Sequence, residues 1–242
     1  MKIEGRNAVR EAVASGATFA KVMVSNGDHD KVFNDLIALL KSKRVKLQWV
    51  SPDVLQCESD TKHPQGVIAF ADDYKYAQVE DILNLAKERN EDPFILILDG
   101  IEDPHNFGSI IRVAECMGVH GIIFGKNRAC QVTETVVRTS AGASSHMLIA
   151  RVTNINTEIE RLKKQNVWVY SCELGGEDIV KSNLKGPLAI VIGSEGFGTS
   201  KLTKELCDGV VTIHMVGKVN SLNASVACGM AVYEAFRQRN YD

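Results

Sequence analysis

The sequence predicts an α/β protein in two parts. A small α/β domain is expected over residues 1–72, a larger domain built on a parallel sheet over 86–242, and a linker over 73–85. Three observations carry this prediction. Helix-period and strand-like segments alternate along the chain. The polar, aperiodic stretch DDYKYAQ interrupts them after residue 71. Beyond it the strand candidates are unbroken apolar runs, as strands covered on both faces by helices require.

In the first part, EGRNAVREAVASG reads as a short helix that Asn7 caps and Gly16 ends, and KVMVS follows as a strand. From Asp28 to Arg44 the residues Val32, Phe33, Leu36, Ile37 and Leu40 recur at helical spacing, and KLQWV is a second strand. Ser51-Pro52 opens another short helix, and GVIAFAD, rich in β-formers, is a third strand. After DDYKYAQ, with the boundary near Ala77, a helix pattern runs from Val79 to Glu88. The strands FILIL, GIIF, VWVYS, LAIVIG and GVVTIH come next.

Bulk properties narrow the function. Hydrophobic residues at 45% and charged residues at 24% describe a folded chain rather than a disordered one. Cys57, Cys116, Cys130, Cys172, Cys207 and Cys228 form no C-x-x-C pair and no Cys/His cluster at zinc spacing. They read as reduced core thiols of a cytoplasmic protein that holds no metal. The longest apolar runs are strand-sized, short of the roughly 20 residues of a membrane span, so no membrane partner is expected. A net charge of −2 lacks the basic imprint of a nucleic-acid binder; an RNA partner would need a local basic face.

Three strand-to-helix junctions stand out: DGIEDPHNFGSIIRVAECMG, VIGSEGFGTSKL and IHMVGKVNSLNASVACGMAVYEAF. Ligands of open α/β sheets bind at such carboxyl ends of strands. The glycines of GSEGFG, at 193, 196 and 198, do not fit the dinucleotide register. Thr199 stands where a Walker A loop needs Lys, and Ile192 where a nucleophile elbow needs Gly. A tight turn or a loop of backbone donors remains. Asn106 can cap the helix that follows DPHNFG or serve chemistry. Arg112, set among Ile110, Ile111, Val113 and Ala114, is expected to be buried and to need an anionic partner, a phosphate or Glu195. Ser221 can cap the last helix or serve the site. Ala224, Ala227, Gly229 and Ala231 allow close helix packing, a dimer interface being one use.

Taken in order, N-F-G-S-I-I-R, I-G-S-E-G-F-G and S-L-N-A-S-V-A resemble the three signature motifs of the SPOUT superfamily, in its TrmH-family branch of RNA ribose 2′-O-methyltransferases. EGRNAVREAV and HPQGVIAFA are similar to the small L30e-like substrate-binding domain found in bacterial 23S rRNA guanosine-2′-O-methyltransferases, so the resemblance covers essentially the whole chain. It implies a SPOUT catalytic domain with a C-terminal trefoil knot, S-adenosyl-L-methionine bound bent in that knot, and a homodimer. By position it implies that Gly193, Ile213 and Leu222 line the cofactor site. Asn106, Arg112, Glu195, Ser221 and Asn223 match catalytic and substrate-binding positions. Arg6, Asn7 and His63 are candidate RNA contacts of the first domain. His214 departs from the pattern, since relatives usually carry proline there.

The implied reaction is methylation of a ribose 2′-hydroxyl, on a guanosine in the peptidyl-transferase region of 23S rRNA. The same chemistry on a tRNA guanosine is an alternative, and a non-catalytic RNA-binding protein is another. DNA, which lacks the 2′-hydroxyl, is not an expected substrate. Arg112 is the family's candidate for activating the hydroxyl. A guanidinium has no acceptor and a pKa above about 12, so holding the phosphate and stabilising the developing alkoxide is the favoured role, with general-base action left open. Glu195 is expected to position Arg112 or the cofactor loop, and Ser221 with Asn223 to bind the ribose or the cofactor's tail.

Overall fold

The computed structural model describes residues 2–14, 17, 19–27, 30–43, 45–71, 74–219 and 221–241, with Ala20 by its backbone alone. Gly16, Asp28 and Arg44, expected as helix limits, and residues 72 and 73, where the first domain was expected to end and the linker to begin, lie outside the described residues. The chain divides into two compact units, Met1–Lys75 and Tyr76–Asp242.

The first unit runs β1 (Lys2–Glu4), α1 (Arg6–Ala14), β2 (Phe19–Ser25), α2 (Lys31–Ser42), β3 (Leu47–Val50), α3 (Pro52–Glu58) and β4 (Val67–Ala71). Its sheet has the order β1-β4-β2-β3, with β2 and β3 parallel and β4 antiparallel to β1 and β2. Strand side chains alternate between faces. Val22, Val24, Val67 and Ala69 therefore pack with Val9 of α1 and Phe33, Leu36 and Leu40 of α2, while Met23 and Ile68 pack with Leu55 of α3.

Local details correct several expectations. Asn7 is the second residue of α1, not its cap; Gly5, at φ +92°, precedes the helix and accepts from the Val9 N–H at 3.0 Å. Asp30 caps α2, accepting from the Phe33 N–H at 2.9 Å, and of the five residues at helical spacing Val32 is 47% exposed while Phe33, Leu36, Ile37 and Leu40 are buried. Ser51 caps α3 ahead of Pro52, as anticipated. Strand β1 went unanticipated because three residues are too short to show periodicity.

The second unit runs α4 (Val79–Glu88), β5 (Phe94–Asp99), α5 (Pro104–Cys116), β6 (Gly121–Gly125), α6 (Glu134–Thr139), β7 (Leu148–Val152), α7 (Ile155–Lys163), β8 (Trp168–Asp178), β9 (Leu188–Gly193), α8 (Lys201–Leu206), β10 (Gly209–Thr212) and α9 (Ala224–Tyr241). Six parallel strands stand in the order β10-β8-β9-β5-β6-β7. The central pair is covered on both sides, which is why FILIL and LAIVI are buried without interruption. Ile95, Ile97, Ala189 and Val191 face α4 and α7. The alternate residues face the side of α5 and α9, where Phe107 meets Phe124 at 5.2 Å between ring centroids.

The expected linker of 73–85 is too long. Val79, Ile82, Leu83 and Ala86 are buried as the inner face of α4, and a Cβ on Gly121 would stand 2.4 Å from Ile82 Cγ1, so α4 belongs to the core of the second unit. Strand β7, LIARV, was missed because it is an edge strand and exposed Arg151 breaks its apolar run. GVVTIH is a strand only to Thr212. No described helix is long and apolar enough to cross a membrane.

Glu4 ties β1 to the turn after α3. Partial burial alone would raise its pKa. Hydrogen bonds from the Thr61 hydroxyl (2.5 Å), the Asp60 N–H (2.7 Å), the Ser59 hydroxyl (2.7 Å) and the Thr61 N–H (3.1 Å) instead hold it down at about 2. Because the folded value lies below the unfolded one, near 4.5, this stabilisation is present above pH 4.5 and is lost as the pH falls toward 2. Glu4→Gln is expected to cost the first unit about 1–3 kcal/mol at neutral pH and to flatten the acid dependence. Amide exchange at Ile3 and Ile68 checks both; protection that falls equally with acid in the variant would trace the effect to another group.

Candidate active site

The three junctions leave the sheet at different strands. β5 and β9 are neighbours, with Asp99 opposite Gly193, so the loops that follow them meet directly. β10 is separated from β9 by β8, about 10 Å away at ordinary strand spacing. Asn223 nevertheless reaches the other two loops.

The meeting point is the Glu195 carboxylate. Its Oε1 accepts from Asn106 Nδ2 at 3.0 Å, Asn223 Nδ2 at 2.5 Å and the Ala224 N–H at 3.3 Å. Asn223 Nδ2 also donates to Asn106 Oδ1 at 2.9 Å. Two of these residues were expected in different local roles. Asn106 is not the cap of α5: Asp103 is, accepting from the His105 and Asn106 N–H groups at 3.3 and 3.0 Å, and this frees the buried Asn106 amide for Glu195. Ser221 is not the cap of α9: Asn223 Oδ1 accepts from the Ser225 and Val226 N–H groups at 3.0 and 3.3 Å and from the Ser225 hydroxyl at 2.6 Å. Asn223 therefore starts the helix with its oxygen and binds Glu195 with its nitrogen.

Beside this cluster is a cavity of about 440 Å³, lined by Gly193, Ile213, Ser221 and Leu222 together with Glu195, Gly196 and Gly198. Residues of the second and third junctions thus share its wall, and the first junction reaches it through the Asn106–Glu195 hydrogen bond. The chain packs closely on itself at Gly193, where a Cβ would stand 2.1 Å from the Gly198 carbonyl carbon and 2.3 Å from the Thr199 nitrogen. Sequence reasoning missed the contribution of β8. Cys172, Glu173 and Leu174 line the same cavity; their only signal was their place directly after the apolar run VWVYS, which β8 extends to Asp178. Glu173 is held by Lys204, Nζ to Oε1 2.6 Å. Burial, with Glu173 adjacent, pushes the Cys172 thiol up to about 11, so it remains an unreactive thiol at neutral pH.

Arg112 departs from expectation. It is exposed on α5 and, among the described residues, makes no hydrogen bond or ion pair. The buried stripe is Phe107, Ile110, Ile111 and Ala114. Arg112 lies six residues beyond Asn106, about 240° around and roughly 9 Å along the helix, so Glu195 holds Asn106 rather than Arg112. His214 is exposed just past β10.

In the first unit, Arg6 is structurally engaged: its Nη1 donates to Asp30 Oδ2 at 2.5 Å and its Nε to the Gln65 carbonyl at 2.9 Å. Asn7 and His63 are exposed. Of the cysteines expected in the core, Cys57 and Cys116 are exposed and Cys228 is buried. No group of three metal-ligating side chains occurs among the described residues.

The fold and site define an α/β protein with a cavity of small-molecule size at the carboxyl ends of parallel strands, beside the point where three loops converge. Residues 93–233 match the SpoU rRNA Methylase family, and residues 2–77 match the RNA 2′-O ribose methyltransferase substrate binding domain. The chain belongs to the SpoU methylase family. It is 42% identical over 240 residues to a protein of Staphylococcus saprophyticus, covering 99% of this chain and 96% of that one. It is also 42% identical over 237 residues to YacO of Bacillus subtilis, covering 98% and 95%. Both are grouped under TrmH family tRNA/rRNA methyltransferases. The SpoU methyltransferase AviRb of Streptomyces viridochromogenes, solved in complex with AdoMet, superposes with a TM-score of 0.71 at 25% identity, covering 98% of this chain and 89% of that one.

The crowding at Gly193 yields a paired test. Gly193→Ala is expected to displace the 194–198 loop and lower stability by about 1–3 kcal/mol. Gly196→Ala, whose Cβ meets nothing within 4 Å, is expected to stay within about 0.5 kcal/mol. Urea titration of the two variants decides, and equal behaviour would contradict the close crossing.

Proposed function

We propose that this chain transfers the methyl group of S-adenosylmethionine to a ribose 2′-hydroxyl of RNA, with a guanosine of 23S rRNA as the target. The observation that carries the reading is the convergence of Asn106, Glu195 and Asn223 into one hydrogen-bonded cluster at the wall of the cavity lined by Gly193, Ile213 and Leu222. A volume near 440 Å³ lies within the range of about 300–1,000 Å³ typical of small-molecule sites. Its donor set suits the cofactor, combining backbone at Gly193, apolar Leu174, Ile192, Met215 and Leu222, and the Glu173 carboxylate.

When bound, the cofactor supplies a methyl group activated on a sulfonium, so the protein's task is alignment and charge stabilisation. Backbone edges at 193, 213 and 222 hold the cofactor, and Glu173 accepts from its hydroxyl or ammonium donors. Asn106, Asn223 and Glu195 keep the loops at one separation, so that the ribose oxygen meets the methyl group in line. Ser221, exposed at the rim, hydrogen-bonds the ribose or the cofactor's tail. Arg112, unpaired and facing solvent, holds the phosphate of the target nucleotide and stabilises the developing alkoxide.

The first unit serves RNA recognition, with exposed Asn7 and His63 and Arg6, which is held by Asp30 and the Gln65 carbonyl, as its contacts. The passage of the chain from β10 past β8, which sets Asn223 against Glu195 of the loop after β9, supports a trefoil knot in the last third of the chain. The exposed stripe of Val226, Met230 and Tyr233 on α9, spaced i, i+4 and i+7, supports a homodimer formed through that helix; the small residues Ala224 and Ala231 face inward instead. Methylation of a tRNA guanosine is the second reading, favoured by relatives grouped under both RNA classes.

Transfer of tritium from labelled S-adenosylmethionine to total RNA from a strain lacking this protein tests the function. Label is expected in large-subunit rRNA. Label only in tRNA would replace the substrate, and no label together with no cofactor binding would leave an RNA-binding protein. Arg112→Ala is expected to lower turnover about 100-fold or more while leaving stability within about 0.5 kcal/mol; near-normal turnover would remove Arg112 from the mechanism. Met230→Glu is expected to shift sedimentation from dimer to monomer, and an unchanged dimer would move the interface off α9.

A further inference from the structure

A second cavity of about 660 Å³ opens at the carboxyl ends of β5, β6, β7 and β9. It shares the walls Ser194, Glu195, Gly196 and Gly198 with the cofactor cavity, and Asn106 belongs to its lining. The hydrogen-bonded cluster therefore stands between the two spaces, and the chemistry proposed above uses only one of them.

Phe197 lines this second cavity alone. At 96% exposure it is the most exposed large apolar side chain among the described residues. Its loop is pinned at the root: the Ser194 N–H donates to the Gly198 carbonyl at 3.1 Å, and the Gly198 N–H donates back to Ser194 at 2.9 Å. Just beyond, buried Thr199 shares a hydroxyl contact with Ser171 at 2.9 Å. The ring is thus fixed where it leaves the backbone and bare on its faces. Folding gains nothing from it, since the hydrophobic contribution requires burial.

The polar groups around the cavity indicate an uncharged ligand with a hydrogen-bonding edge, attached to an anion outside. Asn156 Oδ1 accepts from the Thr203 hydroxyl at 2.7 Å, which leaves its amide N–H groups unused among the described residues. Asp99 Oδ2 accepts from the Ser200 N–H at 2.8 Å. This carboxylate and that of Asp103, both in the lining, repel a phosphate from the interior. Arg128 is exposed in the lining, at φ +49°, and without hydrogen bond or ion pair among the described residues. A nucleotide satisfies all of this, with its base flat on Phe197, its edge against the amide and carboxylate, and its phosphate at Arg128. Single-stranded RNA is bound in this manner by aromatic faces.

We propose that this cavity is a nucleobase-binding subsite in which an unstacked base of the substrate RNA lies on Phe197, with Arg128 at its phosphate. The proposal rests on the RNA-methyltransferase reading for its ligand, but its test does not require turnover. Fluorescence anisotropy with a short fluorescein-labelled single-stranded RNA of mixed sequence is to be compared for wild type, Phe197→Ala, Phe197→Leu and Phe197→Trp, with S-adenosylmethionine affinity and sedimentation measured on each. The expected result is a loss of RNA affinity of about 5- to 100-fold in Phe197→Ala, recovery in Phe197→Trp but not in Phe197→Leu, and unchanged cofactor affinity and oligomeric state. RNA affinity unchanged in Phe197→Ala overturns the subsite, and so does recovery by Leu equal to that by Trp. Conversion of a wild-type dimer to monomer in Phe197→Ala also overturns it, reassigning the ring to a subunit contact. If wild type binds RNA through Phe197 yet labels no RNA with tritium, the subsite stands and the methyltransferase reading fails. If it labels RNA while Phe197→Ala binds normally, the reverse holds.

Discussion

Glu195 Oε1 accepts hydrogen bonds from Asn106, Asn223 and Ala224, and through that one oxygen three loops from three strands are held at a common point. Each donor depends on a local arrangement of its own. Asp103 takes the N–H groups at the start of α5, so Asn106 is not needed there. Asn223 divides its amide, oxygen to the helix N–H groups and nitrogen to Glu195. A carboxylate is the residue type that can receive several donors at once, and at the amino ends of two helices its charge is favoured by the exposed N–H groups and the helix dipoles.

The other constraint is steric. The loop that carries Glu195 turns back on itself so closely that Gly193 admits no side chain against Gly198 and Thr199. This explains why GSEGFG fails the familiar phosphate-binding registers. Its glycines serve a close approach of chain to chain and a loop pinned by the Ser194–Gly198 pair, rather than a cradle for an anion. The two cavities are the spaces on either side of that loop, and Ser194, Glu195, Gly196 and Gly198 are their common wall.

Around this rigid centre stand side chains that folding does not explain. Arg112 is unpaired on α5, Phe197 is bare at the tip of a pinned loop, and Val226, Met230 and Tyr233 form an apolar stripe on the outside of α9. Among the described residues one buried side-chain polar atom, Glu173 Oε1, lacks a hydrogen-bond partner, and the Lys204 ammonium stands against it; the exposed groups have no such part in folding. Their division is chemical and matches the proposed contacts: a cation suits phosphate, an aromatic face suits a base, and an apolar stripe suits a second chain.

The two α/β units, the all-parallel second sheet and the three loops that build the site were legible in the sequence, because continuous apolar runs, glycine positions and helix periodicity are local properties of the chain. The motifs also marked Gly193, Ile213 and Leu222, which line one cavity, and Asn106, Glu195 and Asn223, which bond to one another. Their partners were not legible. Asn106 and Ser221 both read as caps, since any small polar residue before an apolar run has that potential, and only the finished helices selected Asp103 and Asn223. Arg112 read as buried because its neighbours in sequence are apolar, yet a helix turns 100° per residue and its own direction faces solvent. Edge strand β7 and three-residue β1 gave too little periodicity to be seen. The strand order β10-β8-β9-β5-β6-β7, which carries Asn223 across β8 to meet Glu195, was decided by the tertiary structure alone, because which strands become neighbours depends on crossovers between segments far apart in the chain.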